Sequence, residues 1–399
     1  MKFENIENAV AEIAEGKPVV LLDDSNGTIA SYLVQSAAHC TEKAVNFMAV
    51  HCLGVICVGL DGLRADHLQL TPMPGNHDNK GNEGFTISVE AREDVTTGIS
   101  AADRAKTLQV LAEEGAKAED LVSPGHIFPV RVDDGGVLHN SRPPEAAVEM
   151  VRLAGVSTVG AYCALLDSTG EVRDGAGGEA FAAEHGFSVV RLSHLSRYRL
   201  LRESIVRRVG ERSVDTPHGP AQLIVFENEL DGSTHPVFVI GDLSSVEAPP
   251  VRIHSQCLTG DAFHSLRCDC GDQLNGALTY MHEQGVGVLV YLRQEGRGIG
   301  LTNKVRAYGL QDRGQDTVDA NLALGFGADE RSYVVASQIF KTLGLTGVRL
   351  ITNNERKIRE TEEWGVPVVE RVALDVAIRP ENESYLRTKR DRLGHLLSL

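Results

Sequence analysis

Along the first half of the chain, apolar residues at helical spacing alternate with short continuous apolar runs. FENIENAVAEIAEG sets its apolar positions three and four apart and stops at Gly16, and KPVVLLDD follows without a polar break. The first pattern predicts an amphipathic helix and the second a buried strand. The same pairing recurs in TEKAVNFMAVHCLG before GVICVGL, in PPEAAVEMVRLAG before VGAYCALLD, and in EAFAAEHG before FSVVRL. Ser100 with Asp103 predicts a capping box at the head of the helix SAADRAKTLQVLAEEG. This alternation predicts an α/β domain that ends near Arg199.

From about Arg202 to Asp215 the pattern gives way to the charge-rich RESIVRRVGERSVD and the turn-like TPHGP. QLIVFENEL and HPVFVIGDL then predict two strands joined by the hairpin loop DGSTH. GVGVLVYL predicts a buried strand, Asn303 to Asp312 a helix, and RSYVVASQIFKTLG another, opened by Asp329 and Arg331. GVRLIT, RKIRETEEWG and VPVVERV close the chain as strand, helix and strand, with Thr352 and Lys357 expected at the end of the first of these strands. The expected class is α/β (α+β), with two domains at 1–205 and 206–399, each a mixed sheet packed with helices.

Length supports the division, since 399 residues exceed one ordinary compact domain. Charged residues make up 24% and hydrophobic ones 42%, and Met1 to Ala14 lacks a basic start followed by an apolar run, so secretion and membrane insertion are not expected. A cytoplasmic location is. The net charge of −16 argues against a phosphate-tracking nucleic-acid surface, so an anionic ligand must meet a local cluster of Arg and Lys. Cys40, Cys52, Cys57 and Cys163 lie in or beside apolar runs and read as buried free thiols.

The other three cysteines crowd into QCLTGDAFHSLRCDC. Zinc takes thiolates tetrahedrally: four protein ligands make a structural site, and three leave a position open to water. Cys257, Cys268 and Cys270 offer three, His254 or His264 is available as a fourth, and a redox trio is a further reading. The cysteines alone leave these open. Downstream, YLRQEGRGIGLTNKVRAYGLQDRG sets a Gly-rich turn after a strand beside Arg297, Lys304 and Arg306, where backbone N–H groups can approach phosphate. With Asp329, Arg331, Thr352 and Lys357, the domain holds a general base and donors for a triphosphate. The residues point to metal-assisted hydrolysis of an anionic nucleotide.

RIHSQCLTGDAFHSLRCDCGDQL, RQEGRGIGLTNKVRAYGLQD, DTVDANLALGFGADER and LITNNERK together resemble the GTP cyclohydrolase II family, which opens riboflavin synthesis. The resemblance implies one zinc held by Cys257, Cys268 and Cys270 that activates water for attack at C8 of guanine, with release of formate and pyrophosphate. It implies GTP contacts at Arg252, His254, Gln256, Gln273, Glu295, Gly296, Arg297, Thr317, Thr352 and Lys357, with Mg2+ accompanying the triphosphate. Asp329 matches a proton acceptor, Arg331 the residue that attacks the α-phosphate, and Tyr308 a tyrosine linked to the second hydrolysis. A homodimer is the expected assembly, without nucleic-acid or membrane partners. The family usually reads HSEC where this chain has Gln256 before Cys257, a change that removes one negative charge.

The first half resembles 3,4-dihydroxy-2-butanone 4-phosphate synthase through KPVVLLDD, GVICVGL, FTISVEAREDVTTGISAADRAKT, SPGHIFPV and GGVL. That chemistry needs a magnesium-bound sugar phosphate and carboxylates. Where the family has an acidic loop, this chain reads DDSNGTIASYL: Thr28 replaces a metal-binding Glu, Gly27 an Arg and Tyr32 a substrate-binding Asp. Pro143 and Pro144 stand for a His ligand and a phosphate-binding Thr, and Ala164 for a catalytic Glu. The expected first domain is a catalytically inactive scaffold. Because Asp23, Asp24, His126 and Glu145 remain, a rewired metal site and retained synthase activity stand as alternatives, as does a GTP-binding scaffold without turnover.

Overall fold

The computed structural model describes residues 3–74, 84–374 and 378–397. It divides into two compact units, Met1–Arg202 and Glu203–Leu399. No helix among the described residues is long and apolar enough to cross a membrane.

The first unit carries β1 (Val19–Asp23), β2 (Ala30–Ser36), β3 (Leu53–Leu60), β4 (Val89–Ala91), β5 (Leu121–Arg131), β6 (Val159–Leu165) and β7 (Val189–Arg191). They form one mixed sheet in the order β4-β5-β3-β6-β2-β1-β7, parallel at β1/β7 and β3/β5 and antiparallel elsewhere. Every residue of β1 is buried. Its alternate side chains enter two cores, Val20 and Leu22 one, Val19 and Leu21 the other, because the strand is covered by helices on both faces. Each Val or Leu so buried contributes roughly 1.5–3 kcal/mol, which is why such runs need no polar alternation.

Two local expectations change. Ser100 Oγ does accept the Asp103 N–H, at 3.1 Å. The Asp103 carboxylate, however, turns to the preceding loop, accepting the N–H groups of Thr96, Thr97 and Gly98, so the reciprocal half of the capping box is absent. The segment TEKAVNFMAVHCLG is helical only over Glu42–Phe47. It widens into a π turn at Met48–Cys52 and ends on Leu53 with φ 64°.

The second unit carries β8 (Val206–Thr216), β9 (Gly219–Asn228), β10 (Thr234–Ile240), β11 (Pro250–Ser255), β12 (Gly287–Leu292), β13 (Val348–Ile351) and β14 (Val368–Val372). Their order is β14-β13-β11-β12-β10-β9-β8. The strands β12, β11, β13 and β14 run parallel, and β8, β9 and β10 add antiparallel hairpins. The charge-rich stretch after Arg202 is thus mostly an edge strand, β8, whose side chains are exposed over most of its length. Ladder pairing with β9 holds it, although it has almost no buried face.

In β11, Val251 and Ile253 alternate with Arg252 and His254, and all four are buried. The helix Cys270–Gln284 packs Ala277 and Met281 against the sheet and ends on Gly285, whose φ of 70° suits a helix stop. The chain leaves β11, β12 and β13 at their carboxyl ends into Gln256–Cys257, Gln294–Arg297 and Thr352. Parallel sheets gather ligands at that end. Asp329 and Arg331 lie in the loop ahead of the helix Val334–Thr342 rather than opening it, and Lys357 lies on the helix Glu355–Glu363 rather than at a strand end.

Candidate active site

The Cys257, Cys268 and Cys270 sulfurs all lie within 4.8 Å of one another, and this trio is the one such cluster of His, Cys, Asp or Glu ligands among the described residues. Cys257 ends β11's exit loop, while Cys268 and Cys270 lead into the helix Cys270–Gln284. Their approach depends on Gly260, where a Cβ would stand 2.7 Å from the Cys268 sulfur. Four thiolates about 2.3 Å from zinc are spaced about 3.8 Å apart, and the Cys257 and Cys268 sulfurs are 3.7 Å apart. The donor set therefore fits zinc, with three protein ligands. His254 is not among the clustered ligand atoms, and its Nε2 is 3.0 Å from Asp261 Oδ1.

Around the thiols runs a polar brace in which Lys304 and Glu295 join Thr259, Asp261 and Tyr291, three residues without an expected role. Lys304 Nζ donates to Cys257 Sγ at 3.2 Å, Thr259 Oγ1 at 2.9 Å and Glu295 Oε1 at 2.7 Å. Glu295 Oε2 accepts the Leu258 N–H, and Asp261 accepts the Cys257 N–H and the Tyr291 hydroxyl. The Cys257 thiol is pushed down by hydrogen bonds from its two neighbouring cysteines, with Lys304 adding to the effect. Hydrogen bonding to Cys257 pushes the Cys268 and Cys270 thiols up, so a metal that takes all three sulfurs must displace protons from them.

A cleft of about 690 Å³ opens over the thiols. Gln256, Cys257, Cys268, Cys270, Glu295, Gly296, Arg297, Tyr308, Thr317 and Arg331 line it. Tyr308 OH is 3.4 Å from Thr259 Oγ1, and its ring lies 5.1 Å from the Arg267 guanidinium. The terminal nitrogens of Arg297 are buried and meet no acceptor among the described residues. A buried cation without a protein partner marks a place for an anion.

The remaining candidates sit behind this surface. Arg252 donates to the Ile351 carbonyl at 2.9 Å and to Gln273 Oε1 at 2.5 Å, and Gln273 donates to Asp269. His254 is buried on Asp261, and burial lowers its pKa. Lys357 Nζ donates to the Ile253 carbonyl at 2.8 Å. Its pKa falls well below the usual lysine value through burial and the nearby Arg252, Arg331 and Lys389. Thr352 Oγ1 accepts the Asn354 N–H.

Asp329 and Arg331 form a bidentate pair at 2.8 and 2.5 Å. Burial alone would raise the Asp329 pKa, but Arg331 outweighs it and holds the carboxyl below its ordinary value. Arg356 fixes the loop by donating to the Asp329 and Arg331 carbonyls at 3.1 and 2.6 Å and to Glu360. Thr259, Asp261, Lys304 and Arg356 all lie inside the quoted motifs, so proximity to the cysteines and to Lys357 was their available signal. Tyr385 and Lys389, near the end of the chain, belong to no motif.

In the first unit each of the surviving polar groups has a protein partner. Asp23 accepts from Ser25, Asp24 from Ser193, His126 pairs with Glu90, and the buried Glu145 pairs with Arg142. Tyr32 packs 6.4 Å from Tyr162 and sits opposite Ala164 across β2 and β6.

A thiol cluster at the carboxyl ends of parallel strands, beneath a cleft with an unpartnered guanidinium, is the arrangement of a site able to hold a metal ion beside an anion. Residues 207–373 match the GTP cyclohydrolase II family, and residues 7–198 match 3,4-dihydroxy-2-butanone 4-phosphate synthase. Among curated relatives, riboflavin biosynthesis protein RibBA of Salinispora tropica is 44% identical over 99% of both chains. RibBA of Chlamydia trachomatis is 42% identical over 99% of this chain and 93% of its own, and RibBA of Bacillus cereus is 42% identical over the full length of both. Among solved structures, RibBX, a two domain 3,4-dihydroxy-2-butanone 4-phosphate synthase from A. baumannii, aligns with a TM-score of 0.68 at 27% identity, covering 94% of this chain and 99% of that one. The chain belongs to the RibBA family of riboflavin biosynthesis proteins, and it is an enzyme with a GTP cyclohydrolase II domain.

Proposed function

We propose that the second unit converts GTP to 2,5-diamino-6-ribosylamino-4(3H)-pyrimidinone 5′-phosphate, formate and pyrophosphate, and that the first unit is catalytically silent. The observation that carries the first claim is the cluster of three thiols within 4.8 Å of one another, lining a cleft that also holds an unpartnered guanidinium. Cys257, Cys268 and Cys270 would hold zinc, which when bound would supply a Lewis acid for activating water. Lys304 and Asp261 keep Cys257 oriented, so that the ligand set is fixed before metal or substrate arrives. Arg297 and Arg331 receive phosphate oxygens, and magnesium accompanies the triphosphate.

Asp329 is within hydrogen-bond reach of two Arg331 nitrogens, a position from which it takes a guanidinium proton as an Arg331 nitrogen bonds to the α-phosphorus and pyrophosphate leaves; water then cleaves that P–N bond, which frees the 5′-phosphate product and restores Arg331. Tyr308, over the thiols, supports the second hydrolysis, the loss of formate. Zinc-loaded protein given GTP and magnesium is expected to release formate and pyrophosphate in equal amounts. Release of neither refutes the assignment.

Silence of the first unit rests on Thr28, Pro143 and Ala164 at the positions named above and on the protein partners that already occupy Asp23, Asp24 and Glu145. The family match over residues 7–198 favours the second reading, a bifunctional enzyme. Full-length protein with ribulose 5-phosphate and magnesium is expected to give no butanone phosphate, and accumulation of that product would establish the bifunctional reading instead.

A further inference from the structure

Arg297 occupies an uncommon backbone state. It and Gly296 both lie in the left-handed region, at φ 63° and 64°, and the Arg297 carbonyl is fixed by the Glu330 N–H at 3.0 Å. A non-glycine residue held there signals a conformation imposed for its side chain. That side chain lines the cleft with both terminal nitrogens buried and unpartnered among the described residues. What it meets instead is the ring of Tyr385, 5.8 Å from the guanidinium carbon.

Tyr385 lies on the helix Glu383–Leu393, and its ring also faces the cleft. On the same ring sits Lys389 Nζ, 4.5 Å away, and Lys389 is buried in a 2.5 Å ion pair with Asp269, the residue between Cys268 and Cys270. Arg392 pairs with Asp316 and Asp319 at the head of the helix that bears Thr317. The Leu396 N–H donates to the Asn353 carbonyl, next to Thr352. The helix is thus tied to the cysteine segment and the Thr317 helix, the residues after it to the Thr352 loop, and it presents one aromatic ring to the unpartnered cation.

We propose that Tyr385 is a positioning residue that holds the Arg297 guanidinium toward the polyphosphate of the nucleotide, so that the C-terminal helix sets the preference for triphosphate over monophosphate. The proposal rests on the cyclohydrolase reading above. An aromatic face orients a guanidinium without neutralising it, leaving all of its donors for an anion. A carboxylate in the same place would compete with phosphate for those donors.

The test compares wild type, Tyr385→Phe and Tyr385→Leu as full-length zinc-loaded protein, with GTP and GMP binding measured by calorimetry alongside kcat and KM. Tyr385→Leu is expected to weaken GTP binding about tenfold, as for a desolvated cation–π contact. GMP binding should move much less, kcat should change little, and zinc content should stay at wild-type level. Tyr385→Phe, which keeps the ring, should restore GTP affinity. Equal losses for GTP and GMP, no loss in Tyr385→Leu, or failure of Tyr385→Phe to rescue overturns the proposal while leaving the cyclohydrolase reading intact. Wild type that binds no GTP overturns both.

Discussion

In the first unit, Asp23, Asp24, His126 and Glu145 each end on a partner of their own; in the second, Cys257, Cys268 and Cys270 end on one another. Both units are seven-stranded mixed sheets, with Val19–Leu22 fully buried in one and Val288–Val290 in the other. The difference lies in how many positions each property needs. A core tolerates exchange of one apolar residue for another of similar volume, whereas a reaction centre fails with the loss of one ligand. On the proposed reading of Thr28, Pro143 and Ala164 as lost working positions, such losses leave the packing of KPVVLLDD and GVICVGL intact.

Four substitutions sharpen or break that contrast. Cys257→Ser should bring the largest change, loss of bound zinc and of formate release to background, measured by metal analysis and a formate assay. Retained zinc with retained turnover would separate the thiols from the chemistry. Asp329→Asn should lower kcat by about 10²–10⁴, the range for a removed proton acceptor, with zinc content unchanged; steady-state kinetics decides it, and a change confined to KM contradicts the role.

Gln256→Glu should change GTP affinity or kcat by less than about tenfold, because Gln256 lines the cleft beside Cys257 and is not among the three sulfur ligands. A gain from near zero to full turnover would instead identify the wild type as a GTP-binding scaffold. Thr28→Glu should have no measurable effect on GTP hydrolysis and should yield no butanone phosphate, since the other lost positions remain lost. Appearance of that product would show a first site one residue from activity.

The sheet-forming runs were legible because a strand covered on both faces must be apolar throughout, and the helices because their spacing repeats. The thiol trio was legible for a similar reason, since all three cysteines fall on one short segment. Position in the tertiary structure was not. Lys357 reads as a strand-end residue but stands on a helix behind the sheet, and Asp103 reads as half of a capping box but serves the loop before it. Tyr385 reaches the cleft from the helix Glu383–Leu393, a contact that no local pattern encodes.

The edge strand Val206–Thr216 has a consequence outside catalysis. It pairs with β9 and presents Arg207, Arg208, Glu211 and Arg212 to water along an extended backbone. An exposed sheet edge is a template onto which a foreign strand can add, and a dense charge pattern is the ordinary defence against it. The stretch that breaks the hydrophobic pattern of the chain is in this sense a guard against misassembly, keeping the open side of the cyclohydrolase sheet from recruiting strands during synthesis and at high concentration.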